Sequence, residues 1–197
     1  MMRRRFAEKP RMGGFHTSDA INGAEDLDML EYALDAALTP RDFSCYTELG
    51  RRACDQFGSE GAVSVQWCMQ PYEMLGYPST VTTAALPYDD ESRFIQLMDK
   101  ILRLDYKILD ALAPSGVDFV FLGGPGSEMI SPAYYEKYLV PYSRRVTDRA
   151  RENGLLMTGG SNFHGMYSVA PCQIGTAVTP DEHINALLKY TAIAKSA

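Results

Sequence analysis

The stretch from Gly116 to Gly165, GVDFVFLGGPGSEMISPAYYEKYLVPYSRRVTDRARENGLLMTGGSNFHG, constrains the fold more than any other part of the chain. Val117, Phe119, Val120, Phe121 and Leu122 form a short apolar run, interrupted by Asp118 and closed by Gly123, Gly124 and Pro125. Such a run predicts a strand covered on both faces. Ser131 has the side chain of an N-cap and Pro132 suits the first helical position, while Gly154 follows a basic last turn and stops the helix. Pro141, inside that helix, lacks an N–H and its ring crowds the preceding turn, so a kink or interruption is expected there. Leu155, Leu156 and Met157 predict a second strand, which Gly159, Gly160 and Ser161 turn toward Asn162 and His164. The connection is long enough to make the two strands parallel. In parallel sheets, sites are built in the loops beyond the carboxyl ends of the strands.

The rest of the chain alternates in the same way. Residues 1 to 23 mix Arg, Lys, Gly and Pro with little periodicity and predict an irregular arm, in which His16, Thr17, Ser18 and Asp19 read as a polar turn. Asp26 to Leu38 places Leu27, Leu30, Leu34 and Leu38 at helical spacing, and Pro40 ends it. Tyr46 to Phe57 predicts a second helix with Leu49, Ala53 and Phe57 on its apolar face. Ala62 to Cys68 alternates apolar and polar residues and reads as a strand. Thr80 to Ala85 is β-branched but short, and both helix and strand stay open. From Asp89 to Leu112, Phe94, Leu97, Met98, Ile101, Leu104, Ile108 and Leu112 recur at helical steps. Thr179, Pro180 and Asp181 start a last helix through Ile184, Leu187, Leu188 and Ala192. Strands alternating with helices predict an α/β fold with mostly parallel strands. The arm would precede a single α/β domain over residues 24 to 197.

Composition narrows the function. The chain has 197 residues, 46% hydrophobic and 22% charged, with a formal net charge of -6 spread along its length. A large nucleic-acid surface is not expected from that balance. Cys45, Cys54, Cys68 and Cys172 are widely spaced without a CxxC pair, which argues against a structural zinc module and a disulfide framework. No apolar run reaches the length of a membrane span, and the arginines at the N-terminus are not followed by an apolar signal core. A cytoplasmic protein with reduced thiols and no membrane partner is the expectation. The GGPGSE loop lacks the Lys and Ser/Thr of a P-loop, so no phosphate cradle is assigned to it.

From about Tyr46 to Met157 the chain resembles the uroporphyrinogen decarboxylase superfamily. The resemblance rests on a strand ending in Gly, the M-I-S-P start, the aromatic-rich helix holding V-P-Y, and the G-L-L that opens the next segment, all within Gly116 to Met157. Pro71 to Tyr77, PYEMLGY, is similar to the family segment in which a proline precedes the active-site Tyr by six residues. The resemblance implies that residues 24 to 197 form a partial or shortened TIM-type (β/α) barrel with mostly parallel strands, a carboxy-lyase acting on a tetrapyrrole or related small molecule, and a place among relatives that include corrinoid-linked methyltransferases. It carries a catalytic Tyr onto Tyr77, and the H-G-M sequence at His164 is similar to the family's carboxyl-terminal site His. Gly159 to Gly165, GGSNFHG, is also similar to the end of PHP-family metal-dependent phosphoesterases, with Asn162 standing where that family has a metal-binding Asp.

Decarboxylation of a pyrrole acetate proceeds without a cofactor if the ring is protonated and charge is stabilised as carbon dioxide leaves. Tyr77 and His164 are the candidate catalytic residues, the first orienting substrate and the second exchanging a proton near neutral pH. Asp118, Glu128 and Asn162 are the candidate substrate-binding residues. No cofactor is expected on this reading. On the phosphoesterase alternative, His164 and Asn162 would hold a divalent metal such as Zn or Mn. A third alternative is a non-catalytic shortened barrel that self-associates, because an incomplete parallel sheet leaves open edges. The expected partners are a small-molecule substrate and, on the third alternative, a second copy forming a homodimer.

Overall fold

The computed structural model describes residues 6–7, 15–16, 26–57, 60–67, 80–122, 130–160 and 174–194. The chain divides into two compact units, Met1–Val146 and Thr147–Ala197. Among the described residues helix predominates. In chain order the elements are β1 (Phe6–Ala7), β2 (Phe15–His16), α1 (Leu27–Leu38), α2 (Ser44–Phe57), β3 (Ser64–Trp67), α3 (Thr80–Asp89) and α4 (Glu91–Leu112). A 3-10 turn (Ala113–Ser115), β4 (Phe119–Leu122), α5 (Pro132–Tyr134), a π-helical turn (Tyr135–Leu139), α6 (Val140–Glu152) and α7 (Asp181–Ala194) follow. Within the N-terminal arm, β1 and β2 pair antiparallel. No helix among the described residues is long and apolar enough to cross a membrane.

Helix α4 is the axis of the first unit. Asp90 caps its start, accepting a hydrogen bond from the Arg93 N–H at 3.0 Å. Phe94, Leu97, Met98, Ile101, Leu102, Ile108, Leu109 and Leu112 are buried along it, so the apolar spacing in the sequence is realised almost residue for residue. Leu27, Leu30 and Leu34 of α1 and Leu86 of α3 join this cluster, as do Tyr134, Leu139, Tyr142 and Val146. Each such side chain contributes roughly 1.5–3 kcal/mol by leaving water. Charge fixes the pairing of α1 with α4: Lys100 reaches Glu31 at 2.7 Å and Asp35 at 2.7 Å, and Arg93 bonds Asp28. Hydrogen bonds to Asp35 and Glu31 hold the Lys100 ammonium above its usual range. The ambiguous Thr80 to Ala85 segment is helical, and Leu86 is its buried contact with the core.

Helix α2 departs from the expected face. Leu49 and Phe57 are 66% and 51% exposed, and Gly50 is the buried residue. A Cβ added at Gly50 would sit 2.6 Å from Ser115 Oγ and 3.1 Å from Val117 Cγ1. Close approach through a glycine has turned the small-residue side of α2 inward and left the larger apolar residues outside. Thr47 Oγ1 donates to the Ala111 carbonyl at 2.5 Å and secures the same contact.

The partial TIM-type barrel is not found. Among the described residues the parallel sheet has two strands, β3 and β4, in register from Ser64 opposite Phe119 to Trp67 opposite Leu122. Val65 and Val120 pack toward Ile108, Leu112 and Phe43, but Phe119 and Phe121 are 51% and 60% exposed. The apolar run of β4 is therefore covered on one face, not two. The expected strand at Leu155–Met157 does not form either, and residues 155–160 have no regular structure. The physical reason is local. The Leu155 N–H is taken by the Ala150 carbonyl at 3.0 Å, extending the end of α6, and Met157 is engaged by a side chain instead of a strand. The end of α6 itself is as expected, with Gly154 at φ +75°.

Candidate functional site

A concavity with aromatic walls and ionisable groups lies in the first unit, between α4 and the helix that passes Pro141. Its volume is about 240 Å³. Ile95, Met98 and Asp99 line it from α4, and Tyr138, Pro141 and Tyr142 form the other wall, with Lys137 and Arg145 at the rim. Its shape follows from one residue type. Pro141 cannot donate to the carbonyl one turn back, and a regular α-helix would drive its ring into that carbonyl. The chain answers with the π-turn, in which the Val140 N–H bonds the Tyr135 carbonyl five residues earlier. The helix passes its proline without breaking.

Upstream, the helix start is as the sequence predicts: Ser131 Oγ accepts from the Tyr134 N–H at 3.2 Å, with Pro132 at the first position. Phe94, Tyr134 and Tyr138 then meet edge to face, with ring centroids 4.9 to 6.1 Å apart, and lock the π-turn onto α4.

The rim is charge-balanced. Lys137 pairs with Glu91 at 2.6 Å, Tyr138 donates its hydroxyl to Glu91 at 2.7 Å, and Arg145 meets Asp99 at 3.2 Å. Hydrogen bonding to Lys137 holds the Glu91 carboxyl below its usual range, and the same bond holds the Lys137 ammonium above its own. Burial, with the bond to Glu91, pushes the Tyr138 phenol up. With each cation held by an acid, the groove has little net field to draw an anion. Behind it, Tyr142 donates its hydroxyl to Asp105, a carboxyl only 1% exposed. Burial and the adjacent Asp105 charge push the Tyr142 phenol far above its ordinary value. At neutral pH Tyr142 is a fixed hydrogen-bond donor and not a base. The groove suits an apolar or uncharged group held against two tyrosines.

Of the residues expected at the site, Asp118 is described. Its carboxylate accepts the Val63 N–H at 2.8 Å, and its own N–H donates to the Val63 carbonyl at 2.9 Å. It sits at the amino end of β4, where it ties the two strands together. Tyr77, Glu128, Asn162 and His164 lie outside the described residues. Among the described residues there is no group of three His, Cys, Asp or Glu side chains that could hold a metal. The sequence reasoning missed Asp105, although it stands at helical spacing from Ile101 and Ile108, and a carboxylate on an otherwise apolar stripe is a readable signal.

It also missed His183 and Thr179 in the second unit. His183 Nδ1 lies 3.0 Å from the Met157 nitrogen and 2.8 Å from its carbonyl oxygen. Thr179 Oγ1 accepts from the Gly159 N–H at 3.1 Å and donates to the Gly159 carbonyl at 3.0 Å. Thr179, Pro180 and Asp181 read as a helix start, a local signal that does not name the backbone groups these side chains meet.

Comparison with known proteins yields two partial likenesses. Over 59 residues the chain is 36% identical to uroporphyrinogen decarboxylase of Citrifermentans bemidjiense, covering 30% of this chain and 17% of that protein. It is 34% identical over 59 residues to uroporphyrinogen decarboxylase of Geobacter sp. strain M21, with the same shares covered. The similarity thus spans about a sixth of the length of these curated relatives, 17%. Neither relative is named as a phosphoesterase. No family profile matches the chain, and no solved structure matches it.

Proposed function

We propose that the chain is uroporphyrinogen decarboxylase-like and acts on a tetrapyrrole or a related small molecule, by decarboxylation or by corrinoid-linked methyl transfer. The observation that carries this reading is the 59-residue likeness to two proteins of that name, 36% and 34% identical. On it, the Tyr77 hydroxyl orients the substrate and His164 donates a proton to the pyrrole ring. The bond between the acetate methylene and its carboxylate then breaks, and its electron pair neutralises the protonated ring. Protonation of the methylene with loss of the ring proton leaves a methyl group, the proton transfer being worth roughly 10²–10⁴-fold in rate. Glu128 and Asn162 supply polar contacts to the substrate, while Asp118, expected beside them, ties β3 to β4. The test is conversion of uroporphyrinogen by the purified chain, followed by porphyrin fluorescence, beside Tyr77→Phe and His164→Gln. Turnover lost in both variants supports the reading. Absence of turnover together with absence of porphyrinogen and corrinoid binding removes it. Stoichiometric bound Zn or Mn with a phosphatase activity that needs His164 would favour the PHP-type alternative instead.

A second reading, a chain that self-associates without catalysis, draws on the exposed Phe119 and Phe121 face. Parallel strands are ordinarily covered on both faces. A solution mass of twice 21.9 kDa that falls to one copy in a Phe119→Ser, Phe121→Ser double variant would support it. A well-behaved monomer would end it.

A further inference from the structure

We propose that the groove between α4 and the helix that passes Pro141 is a binding site for a small, uncharged aromatic molecule of one or two rings. Neither Tyr77 nor His164 enters into it, so it stands apart from the decarboxylase reading. The two walls carry stripes at four-residue steps, Glu91, Ile95 and Asp99 on α4 against Lys137, Pro141 and Arg145. The outer rungs are closed by ion pairs, Glu91 with Lys137 at 2.6 Å and Asp99 with Arg145 at 3.2 Å. The middle rung is open: Ile95 is 50% exposed, and Pro141 on the other wall is exposed as well. Glu91 and Asp99 stand about 12 Å apart along α4 at 1.5 Å per residue, which sets the length of the opening. Turns of the π type recur at binding sites in proteins generally, and this one carries the chain past Pro141.

Size, lining and charge select the occupant. An engineered apolar cavity of about 150 Å³ takes up benzene. The groove, at about 240 Å³, has room for one or two rings. A peptide helix, about 10 Å across with its side chains, is too wide for it. An extended chain laid along it would have to cross an ion pair at each end. Both phenols of the lining have given their protons away, Tyr138 to Glu91 at 2.7 Å and Tyr142 to Asp105. What they offer an occupant is ring carbon, and aromatic rings pack edge to face, as Phe94, Tyr134 and Tyr138 already do beside the groove. At the rim Lys137 and Arg145 are each matched by an acid, so a charge brought in by the ligand would lose water without gaining a free partner. Asp99 also meets Arg103 at 3.1 Å, which makes Arg145 the place where a carboxylated ring would compete.

The test is a titration of the full chain with indole, read at the Ile95 δ1 and Met98 ε methyl resonances, beside indole-3-acetate and tryptamine as anionic and cationic counterparts. Saturable shifts of both methyls are expected for indole, with a dissociation constant of roughly 0.1–1 mM. Each charged analogue should bind about tenfold more weakly. Ile95→Phe, which puts a ring into the open rung, should weaken indole binding about tenfold at the Met98 methyl, while Ile95→Val should stay within about threefold of the wild type. Ile95 is half-exposed, and Ile95→Arg serves as a second blocking variant if Ile95→Phe does not fold. Absence of a saturable shift in the wild type overturns the site, as does indole binding that persists unchanged in the blocking variants. Tighter binding of indole-3-acetate, or of tryptamine, overturns the uncharged class. A wild-type dimer that becomes a monomer in Ile95→Arg would put a second copy in the groove and overturn the small-molecule assignment.

Discussion

The two sides of helix α4 make unequal bargains with water. Toward α1, α3 and the π-turn, it buries Phe94, Leu97 and Ile101 at 1% exposure or less. Toward the sheet, it covers Val65 and Val120 with Ile108 and Leu112 and leaves Phe119 and Phe121 facing out. The helical side is complete within this chain, since each amphipathic stripe finds another. The strand side is half of a layered arrangement, stable because α4 already stands there. The difference shows that the helices, not the sheet, hold the unit together.

Substitutions can break that contrast, beginning with the strongest. Phe94→Ala should cost about 3–5 kcal/mol by opening a cavity beside the tyrosine trio, measured by urea denaturation. A cost below about 1 kcal/mol would mean that the helical core is looser than its burial implies. Next, Tyr142→Phe should cost about 1–3 kcal/mol by depriving the buried Asp105 of its phenol donor. It should also change the alkaline limb. The fold holds Tyr142 protonated beyond the ordinary value of 10.0, so above about pH 10 the unfolded chain releases a proton that the native chain keeps. Stability then falls with rising pH by up to about 1.4 kcal/mol per pH unit, and below that range Tyr142 has no effect on the slope. Thermal scans from pH 8 to 11 should show a shallower alkaline decline in Tyr142→Phe than in the wild type.

On the sheet side of the contrast, Gly50→Ala pushes a methyl into Ser115 and should cost about 1–3 kcal/mol, with Ser115→Gly in the same chain recovering part of it. Additivity of the two would show that α2 retreats as a body. The smallest effect is expected where the sheet is open: Phe119→Ser should alter stability by no more than about 0.5 kcal/mol. A cost near that of Phe94→Ala would show that the outer face is covered in solution.

What was legible in the sequence followed periodicity. The stripe of α4, the leucines of α1, Ser131 with Pro132, and Gly154 as a stop are signals carried by residues close in sequence, and local physics suffices to read them. The failures are non-local. That Gly50 and not Leu49 faces inward depends on Ser115, sixty-five residues away in the chain. Leu155–Met157 has the composition of a strand, but its hydrogen bonds are met by the end of α6 and by His183. Three expected strands alternating with helices suggested an α/β fold and the family resemblance a barrel, although composition alone does not say how many neighbours a strand acquires. For the site, the resemblance and the comparison both point to uroporphyrinogen decarboxylases over part of the chain, but Asp105, Thr179 and His183 escaped because each acts on a partner that the local pattern does not name.

The π-turn has a consequence for anyone lining this chain up against its relatives. Buried positions along that helix fall at Tyr134, Leu139, Tyr142 and Val146, so the first interval is five where the later ones are three and four. In phase terms, one residue has been let into the coil and every side chain beyond Leu139 is rotated by about 100° from where an uninterrupted α-helix would put it. A relative without the proline and the extra residue would present a different set of side chains to α4 from a nearly identical sequence. A one-residue gap placed within Tyr135–Leu139 restores the correspondence, and the choice decides whether Tyr142 is compared with a core position or with a surface one.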